Sequence, residues 1–286
     1  MPQHQLAARF RRLHAAGSDQ ILVLPNAWDA MSARLVEAAG AQAIATTSAG
    51  VSWALGHPDG HGLTRGAMID AVRRIVDSVR VPVTADVESG YGTGSPDDVA
   101  ATVRGVIAAG AVGVNVEDSP GQSGEALLDT DVHAARLGAA REAARDAGVD
   151  LFINARLDTY LRKVGNENER FALTVRRAHA YLAAGADGIF VPLVSDADTI
   201  RQLVHAVGAP LNVIAGPGSP TIAELKALGV ARVSVGPGLA RAVMAHIRRS
   251  AVELFGPGTY SELADQISSP DANALFSTSR ESLSAK

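Results

Sequence analysis

The feature that most constrains this 286-residue chain is a junction repeated along it. The segments EAAGAQAIA, AAGAVGVNV, DAGVDLFIN, AAGADGIFV and ALGVARVSV share one pattern: a small-residue helix end, a glycine, then an apolar run. Glycine closes a helix well because it enters the left-handed region without a Cβ clash. Each segment therefore reads as a helix, a tight turn and a strand. Strand candidates are Ile21–Pro25, Gln42–Thr47, Val81–Asp86, Gly113–Glu117, Leu151–Ala155, Gly188–Val191, Leu211–Ala215 and Arg232–Gly236. Apolar residues fall at helical spacing over Asp97–Ala109, Asp131–Ala147, Glu167–Ala184, Thr221–Leu228 and Leu239–Leu254. Ser95-Pro96-Asp97-Asp98 and Ser219-Pro220-Thr221 read as helix starts with proline in the first turn.

Strands alternating with helices predict a parallel sheet. Eight such units in roughly 250 residues are the size of a (β/α)8 barrel. The expected fold is thus α/β, a TIM-type barrel in one domain spanning 1–286. The barrel covers about 20–250, and 251–286 form a C-terminal arm whose apolar cluster Ala272–Phe276 packs on another surface. An open doubly wound sheet is the alternative, weakened because no GxGxxG follows the first strand.

Composition narrows the partners. The chain is 47% hydrophobic, enough for a large core, and carries a formal net charge of -4 with no Lys/Arg run. Nucleic acid is not an expected partner. The absence of cysteine excludes disulfides, thiolate metal sites and a cysteine nucleophile or acid. The N-terminal segment lacks the apolar core of a signal peptide, and no run approaches the ~18 apolar residues of a membrane span. A cytoplasmic protein with no membrane partner is expected.

Three consecutive strands end in polar residues two apart: Asp86 and Glu88, Asn115 and Glu117, Asn154 and Arg156. Alternating strand geometry points each pair to one face. In a barrel of this kind the active site lies at the C-terminal strand ends, where these pairs fall. Asp86, Glu88 and Glu117 offer hard oxygen ligands to Mg²⁺, which is held by few direct carboxylates and several waters. The simpler alternative is that they cap helices or pair with arginines. Arg156 fits either a structural ion pair or a planar clamp on a substrate carboxylate. Asn154 fits either an internal hydrogen-bond network or a ligand contact.

Other loops add candidates. Thr46–Gly50 (TTSAG) ends the second strand with small residues that let backbone N–H groups approach an anion. His57 and His61 read as loop histidines, since Mg²⁺ prefers oxygen. Asp59 sits in a Pro-Asp-Gly turn. GPG triplets at Gly216–Gly218 and Gly236–Gly238 follow the seventh and eighth strands, a usual phosphate-binding region. A third triplet at Gly256–Gly258 shows that the motif is common in this chain.

Together, LPNAWDAMSARLVEAAG, TTSAGVSWALGHPDG, VPVTADVESGYG, VGVNVEDS, FINARLDTY and GADGIFVP resemble the isocitrate lyase/phosphoenolpyruvate mutase superfamily over roughly residues 20–250. The resemblance implies an (α/β)8 barrel, often with its last helix swapped between subunits of a homodimer or homotetramer. It implies Mg²⁺, with Mn²⁺ as an alternative, and a small-molecule 2-oxo or 2-hydroxy carboxylate. Asp86 matches the direct metal ligand, and Glu88 and Glu117 match acids that hold the metal largely through water. Asp59 matches an acid near both metal water and substrate. Arg156 matches the arginine that binds a substrate carboxylate or phosphonate. Thr47, Ser48, Ala49 and Gly50 match the loop that holds the 2-oxo acid. Tyr91 and Gly92 match the GYG turn, and Asp29 a strand-one acid.

The departures are specific. Where lyases of this superfamily carry K-[KR]-C-G-H, this chain reads EDSPGQSGEALLDT, with no lysine, cysteine or histidine. The lysine- and asparagine-bearing gating loop of the mutases is also missing. The lyases' P-E pair is replaced by Val191-Pro192-Leu193. The resemblance implies a lyase making or breaking a C–C bond beside a 2-oxo carboxylate through a metal-stabilised enolate. In that reading Ser119–Thr130 closes over the site. Glu125, Tyr91 and a metal-bound water are the candidate proton donors. The alternatives are mutase or phosphonopyruvate hydrolase P–C chemistry, and a non-catalytic 2-oxo-acid binder.

Overall fold

The computed structural model describes residues 1–14, 20–60, 62–120 and 126–277. Its strands are β1 (Leu22–Leu24), β2 (Asn26–Ala27), β3 (Ile44–Thr46), β4 (Val83–Asp86), β5 (Gly113–Glu117), β6 (Phe152–Arg156), β7 (Gly188–Val191), β8 (Leu211–Ile214) and β9 (Arg232–Ser234). All neighbours are parallel, in the order β1-β9-β8-β7-β6-β5-β4-β3-β2.

β1 and β2 are two halves of one strand, interrupted at Pro25. Proline has no N–H to give a ladder. The first half pairs with β9 and the second with β3, so the sheet closes into a barrel through this broken strand. Asn26 clasps the break: its Nδ2 donates to Thr46 O at 2.8 Å, and its Oδ1 accepts from Val235 N at 3.0 Å. The expected continuous strand Ile21–Pro25 is corrected accordingly. It stops before the proline and resumes to Ala27.

The helices are α1 (Gln3–Leu13), α2 (Ala30–Ala38), α3 (Ser48–Ala54), α4 (Arg65–Ser78), α5 (Pro96–Ala108), α6 (Thr130–Asp146), α7 (Glu167–Ala183), α8 (Ala197–Val207), α9 (Ile222–Ala227), α10 (Gly238–Phe255) and α11 (Ser269–Phe276). The five junction glycines, Gly40, Gly110, Gly148, Gly185 and Gly229, all take positive φ, from 66 to 110°. That is the conformation the repeated motif predicts. Ser95 caps α5 by accepting from Asp98 N, with Pro96 in the first turn. The start of α9 is corrected: Thr221, not Ser219, is the cap, in a reciprocal box with Glu224.

Alternation along the strands sorts the side chains. Val114, Val116, Ile153 and Ala155 are fully buried and belong to the main apolar core. The intervening positions carry Thr84, Asn115, Asn154, Asn212 and Arg232, all buried. The barrel interior is therefore polar over much of its depth. A second apolar cluster, with Leu6, Phe10, Leu24, Val112 and Phe152, plugs the opposite end beneath α1. Phe10 seats there because Gly113 has no side chain; a Cβ would lie 2.7 Å from Phe10 Cε1.

The arm is helical in part. α11 packs on α2, where Arg34 Nε donates to Leu275 O at 2.7 Å. α10 presents large apolar residues outward: Met244, Ile247, Val252 and Phe255 are 51, 60, 66 and 91% exposed. Beside its first turns lies an apolar groove of about 640 Å³ lined by Pro25, Trp28, Leu35, Val36, Leu239 and Val243.

Candidate active site

A cavity of about 830 Å³ opens at the C-terminal ends of the strands. Thr47, Ser48, Ala49, Asp59, Asp86, Asn115 and Arg156 lie in its wall, with both GPG triplets, Gly216–Gly218 and Gly236–Gly238. Phe190, Leu193, Val194 and Ile214 make part of the wall apolar. Leu193 is held at φ 62° with 57% of its surface exposed.

Asp86 ends β4 and is fixed by the first residue of α3, so the expected small-residue turn Thr46–Gly50 is a helix start with Thr47 at its N-cap. Its Oδ2 accepts from Ser48 N at 3.0 Å and Ser48 Oγ at 2.9 Å, while its own N–H donates to Thr46 Oγ1 at 2.8 Å. Asp86 Oδ1 has no partner among the described residues. A single outward carboxylate oxygen suits a hydrated Mg²⁺ held by few direct ligands.

Glu88 departs from the expected strand geometry. It lies beyond β4 at φ 50°, in a turn that also holds Tyr91 at φ 61°. The parity argument therefore stops at Asp86, and Glu88 is placed by the turn. The turn is locked from below: a Cβ on Gly90 would lie 2.4 Å from Val99 Cγ2. Tyr91 Oη donates to Glu88 Oε1 at 3.2 Å, and Glu117 N donates to Glu88 O at 2.9 Å. Burial, with the charges of Glu88 and Asp86, raises the Tyr91 phenol above its usual range and keeps it protonated.

The neighbouring strands keep their register. Asp86 aligns with Asn115, Asn115 with Asn154, and Glu117 with Arg156. Arg156 Nη1 lies 2.8 Å from Glu117 Oε2. Its Nε and Nη2 donate to Asp158 Oδ1 and Oδ2 at 2.7 and 3.1 Å. Although burial opposes its charge, Glu117 and Asp158 hold Arg156 firmly cationic. These contacts engage three nitrogens and leave further N–H groups of the fork for the cavity. Burial pushes Glu117 up to about 8 against the pull of Arg156; Asp158, Asp86 and Glu88 add to the rise.

Behind this pair lies a buried polar brace. Asp118 Oδ1 accepts from Asp158 N at 2.9 Å, and its Oδ2 accepts from Arg177 Nη1 and Tyr181 Oη, both at 3.0 Å. Arg177 Nη2 donates to Leu128 O at 2.7 Å. The brace thus ties α7, the end of the β5 loop and the Arg156 segment together. Burial raises Asp118 to about 6.

Not every sequence candidate reaches the cavity. Glu88, Tyr91, Glu117, Asn154 and Gly50 are buried behind its wall rather than lining it. Asn154 donates through Nδ2 to Asn115 Oδ1 at 2.9 Å and Asn212 Oδ1 at 3.1 Å, the network reading. Asp29 is the N-cap of α2, accepting from Ser32 N at 2.7 Å. Glu125 and His61 lie outside the described residues. Among the described residues, no three of His, Asp or Glu gather into a metal cage. Sequence reading passed over Asp158, Asn212 and Arg232. Only Asp158 carried a signal, since it continues the 154–156 parity by one more step.

A closed parallel barrel with an acid–arginine cluster at its C-terminal rim defines a TIM-type enzyme fold. The family model for phosphoenolpyruvate phosphomutase matches residues 10–255. This chain belongs to that family, within the phosphoenolpyruvate mutase/isocitrate lyase superfamily of lyases and mutases acting on 2-oxo acids. It is similar to a Burkholderia cenocepacia J2315 protein provisionally named a phosphonomutase: 46% identity, TM-score 0.81, covering 86% of this chain and 98% of that one. It is 32% identical over 232 residues to 2,3-dimethylmalate lyase of Eubacterium barkeri, covering 78% of this chain and 77% of the relative. Oxaloacetate acetylhydrolase, solved with its product oxalate, is 25% identical with TM-score 0.83, covering 99% of this chain and 97% of that one.

Proposed function

We propose that this protein is a Mg²⁺-dependent lyase that makes or breaks a C–C bond beside a 2-oxo or 2-hydroxy carboxylate. The observation that carries this reading is the register-matched rim, where Asp86 with its open Oδ1 faces the same cavity as the braced Arg156. Asp86 would hold the ion directly, and Glu88 and Glu117 would hold its waters. When bound, the ion supplies Lewis-acid stabilisation of negative charge developing on the keto oxygen. Arg156 binds the carboxylate with its remaining N–H groups, and Thr47 and Ala49 in the cavity wall orient it through hydroxyl and backbone donors, while Ser48 holds Asp86. Asp59 lies in the cavity wall where it can hold a proton close to the substrate. Tyr91, expected as a candidate proton donor, is set behind the wall with its hydroxyl on Glu88, which leaves Glu125 as the side-chain candidate.

The deciding experiment incubates a panel of 2-oxo and 2-hydroxy acids with protein and Mg²⁺ and reads products by mass spectrometry. Asp86→Ala should abolish turnover and its Mg²⁺ dependence. Turnover that survives this change overturns the reading.

Phosphorus–carbon bond chemistry is the second reading, favoured by the 46% identity to the provisionally named phosphonomutase. Phosphonopyruvate that releases phosphate, or yields a new ³¹P signal, would support it over the lyase.

The working form is proposed to be a homodimer or homotetramer in which α10 of one subunit covers the apolar groove of another. The outward apolar face of α10 and the groove beside its own start are the supporting features.

A further inference from the structure

Beneath the cavity, Asn115 sits between two donors. Its Oδ1 accepts from Asn154 Nδ2 at 2.9 Å and from Arg232 Nη2 at 3.2 Å. A guanidinium has no acceptor, so the Asn115 atom facing Arg232 must be the oxygen. The amide orientation is therefore dictated by chemistry. Asn115 Nδ2 then points elsewhere, and it has no partner among the described residues. Yet Asn115 is 6% exposed, and the surface it keeps is in the cavity wall. A nearly buried amide with free N–H groups facing a cavity is an unmet donor.

Arg232 adds a second oddity. It is 1% exposed, and its Nε and Nη1 have no hydrogen-bond partner among the described residues. No carboxylate forms an ion pair with it among the described residues, although the charge of Asp86 acts on it. A buried cation without a paired anion is costly. Its bond to Asn115 Oδ1 draws electron density from the amide and strengthens the Nδ2–H groups as donors.

We propose that Asn115 contacts the ligand, its Nδ2 donating to the oxygen of a bound 2-oxo acid that becomes negative in the reaction, and that Arg232 is the positioning residue that fixes and polarises this amide. The inference rests on the reading of the cavity as a 2-oxo-acid site. It adds an uncharged donor on β5, in register with Asp86 and in the same cavity wall as Thr47, Ser48 and Ala49.

Oxalate, a planar mimic of the enolate, is the probe. Calorimetric titration with oxalate at saturating Mg²⁺ compares wild type with Asn115→Ala and Asn115→Asp, and Mg²⁺ binding alone is titrated in parallel. Both variants should bind oxalate roughly 10- to 100-fold more weakly, the range of one charge-assisted hydrogen bond. Affinity of Asn115→Ala for Mg²⁺ alone should stay within about twofold of wild type, as expected for a group that is not a metal ligand. Arg232→Met should weaken oxalate several-fold in the wild-type background and add little in the Asn115→Ala background. A purely structural Arg232 would give additive losses instead. If Arg232→Met does not fold, Arg232→Lys enters the same cycle. A wild-type protein that binds no oxalate overturns both this inference and the proposed function. A wild type that binds oxalate, with Asn115→Ala binding it equally well, overturns this inference alone.

Discussion

Arg156 Nη1 stands 2.8 Å from Glu117 Oε2, its direct cross-strand neighbour between β5 and β6. The pair sits among Asp86, Glu88 and Asp158, so the cluster holds more acids than cations. Burial, with that imbalance added, holds the Glu117 carboxyl above its usual range despite its arginine.

A pH dependence follows. The folded-state value of Glu117, about 8, lies above its ordinary value of 4.5. Its contribution to stability is fully present below the ordinary value and is lost as pH rises through about 8. A divalent cation that takes the proton's place removes this loss. The rise in Tm on adding Mg²⁺ over EDTA should therefore be small near pH 5.5 and grow toward pH 8.5. Differential scanning calorimetry at these two values checks it. An increment that does not change with pH would count against Glu117 as part of the ion's surroundings.

Asp158 should act on substrate affinity through Arg156. It accepts from Arg156 Nε and Nη2, while its backbone is held by Asp118. Asp158→Asn keeps the volume and loses the bidentate anchor, so the guanidinium is held on that side by Glu117 alone and its orientation loosens. KM for the oxo acid should rise about tenfold or more, with kcat changed less, because lost orientation weakens binding first. Steady-state kinetics on the substrate found in the panel decides. A large fall in kcat at constant KM would mean that Arg156 is not the carboxylate clamp.

The fold was legible in the sequence where backbone chemistry is local. Glycine at the helix ends and apolar runs after it mark the repeat without any tertiary information. Pro25 misled because its missing N–H breaks a strand that tertiary closure then resumes through Asn26. The site was legible as far as strand parity runs: Asn115, Glu117, Asn154 and Arg156 keep their expected sides. Glu88 leaves that rule because the turn after β4 takes it into positive φ. Arg232 was beyond reach, since a lone arginine at the head of an apolar strand reads as a solvated end. Only the closed barrel shows that it points inward to Asn115.

The brace behind the site should be worth several kcal/mol. Arg177 and Asp118 form a buried pair with 3.0 Å between Nη1 and Oδ2. Arg177→Met leaves Asp118 buried without its cation and Leu128 O without its donor. Removing one partner of such a pair costs about 3–5 kcal/mol. Urea denaturation should show a loss of this size with an unchanged m-value. Asp118→Asn leaves the buried Arg177 charge without its carboxylate and should lose a comparable amount. A difference near zero for Arg177→Met would show that the pair contributes no net stability and does not brace Arg156.

The outward face of α10 predicts the assembly state. Burying a large aliphatic or aromatic side chain stabilises by roughly 1.5–3 kcal/mol, so Ile247, Val252 and Phe255 left in water forgo a substantial gain. A second copy offers the complementary apolar groove between Pro25, Trp28 and Val36. The same two surfaces on each subunit allow a closed, isologous pairing. Size-exclusion chromatography with light scattering should give a dimer or tetramer for the intact chain. Ile247→Asp places a charge in the proposed contact and should shift the protein toward monomer, with an unchanged far-ultraviolet circular dichroism spectrum. An intact chain that runs as a monomer at tens of micromolar would sink the pairing and leave the α10 face as an exposed apolar surface of the single subunit.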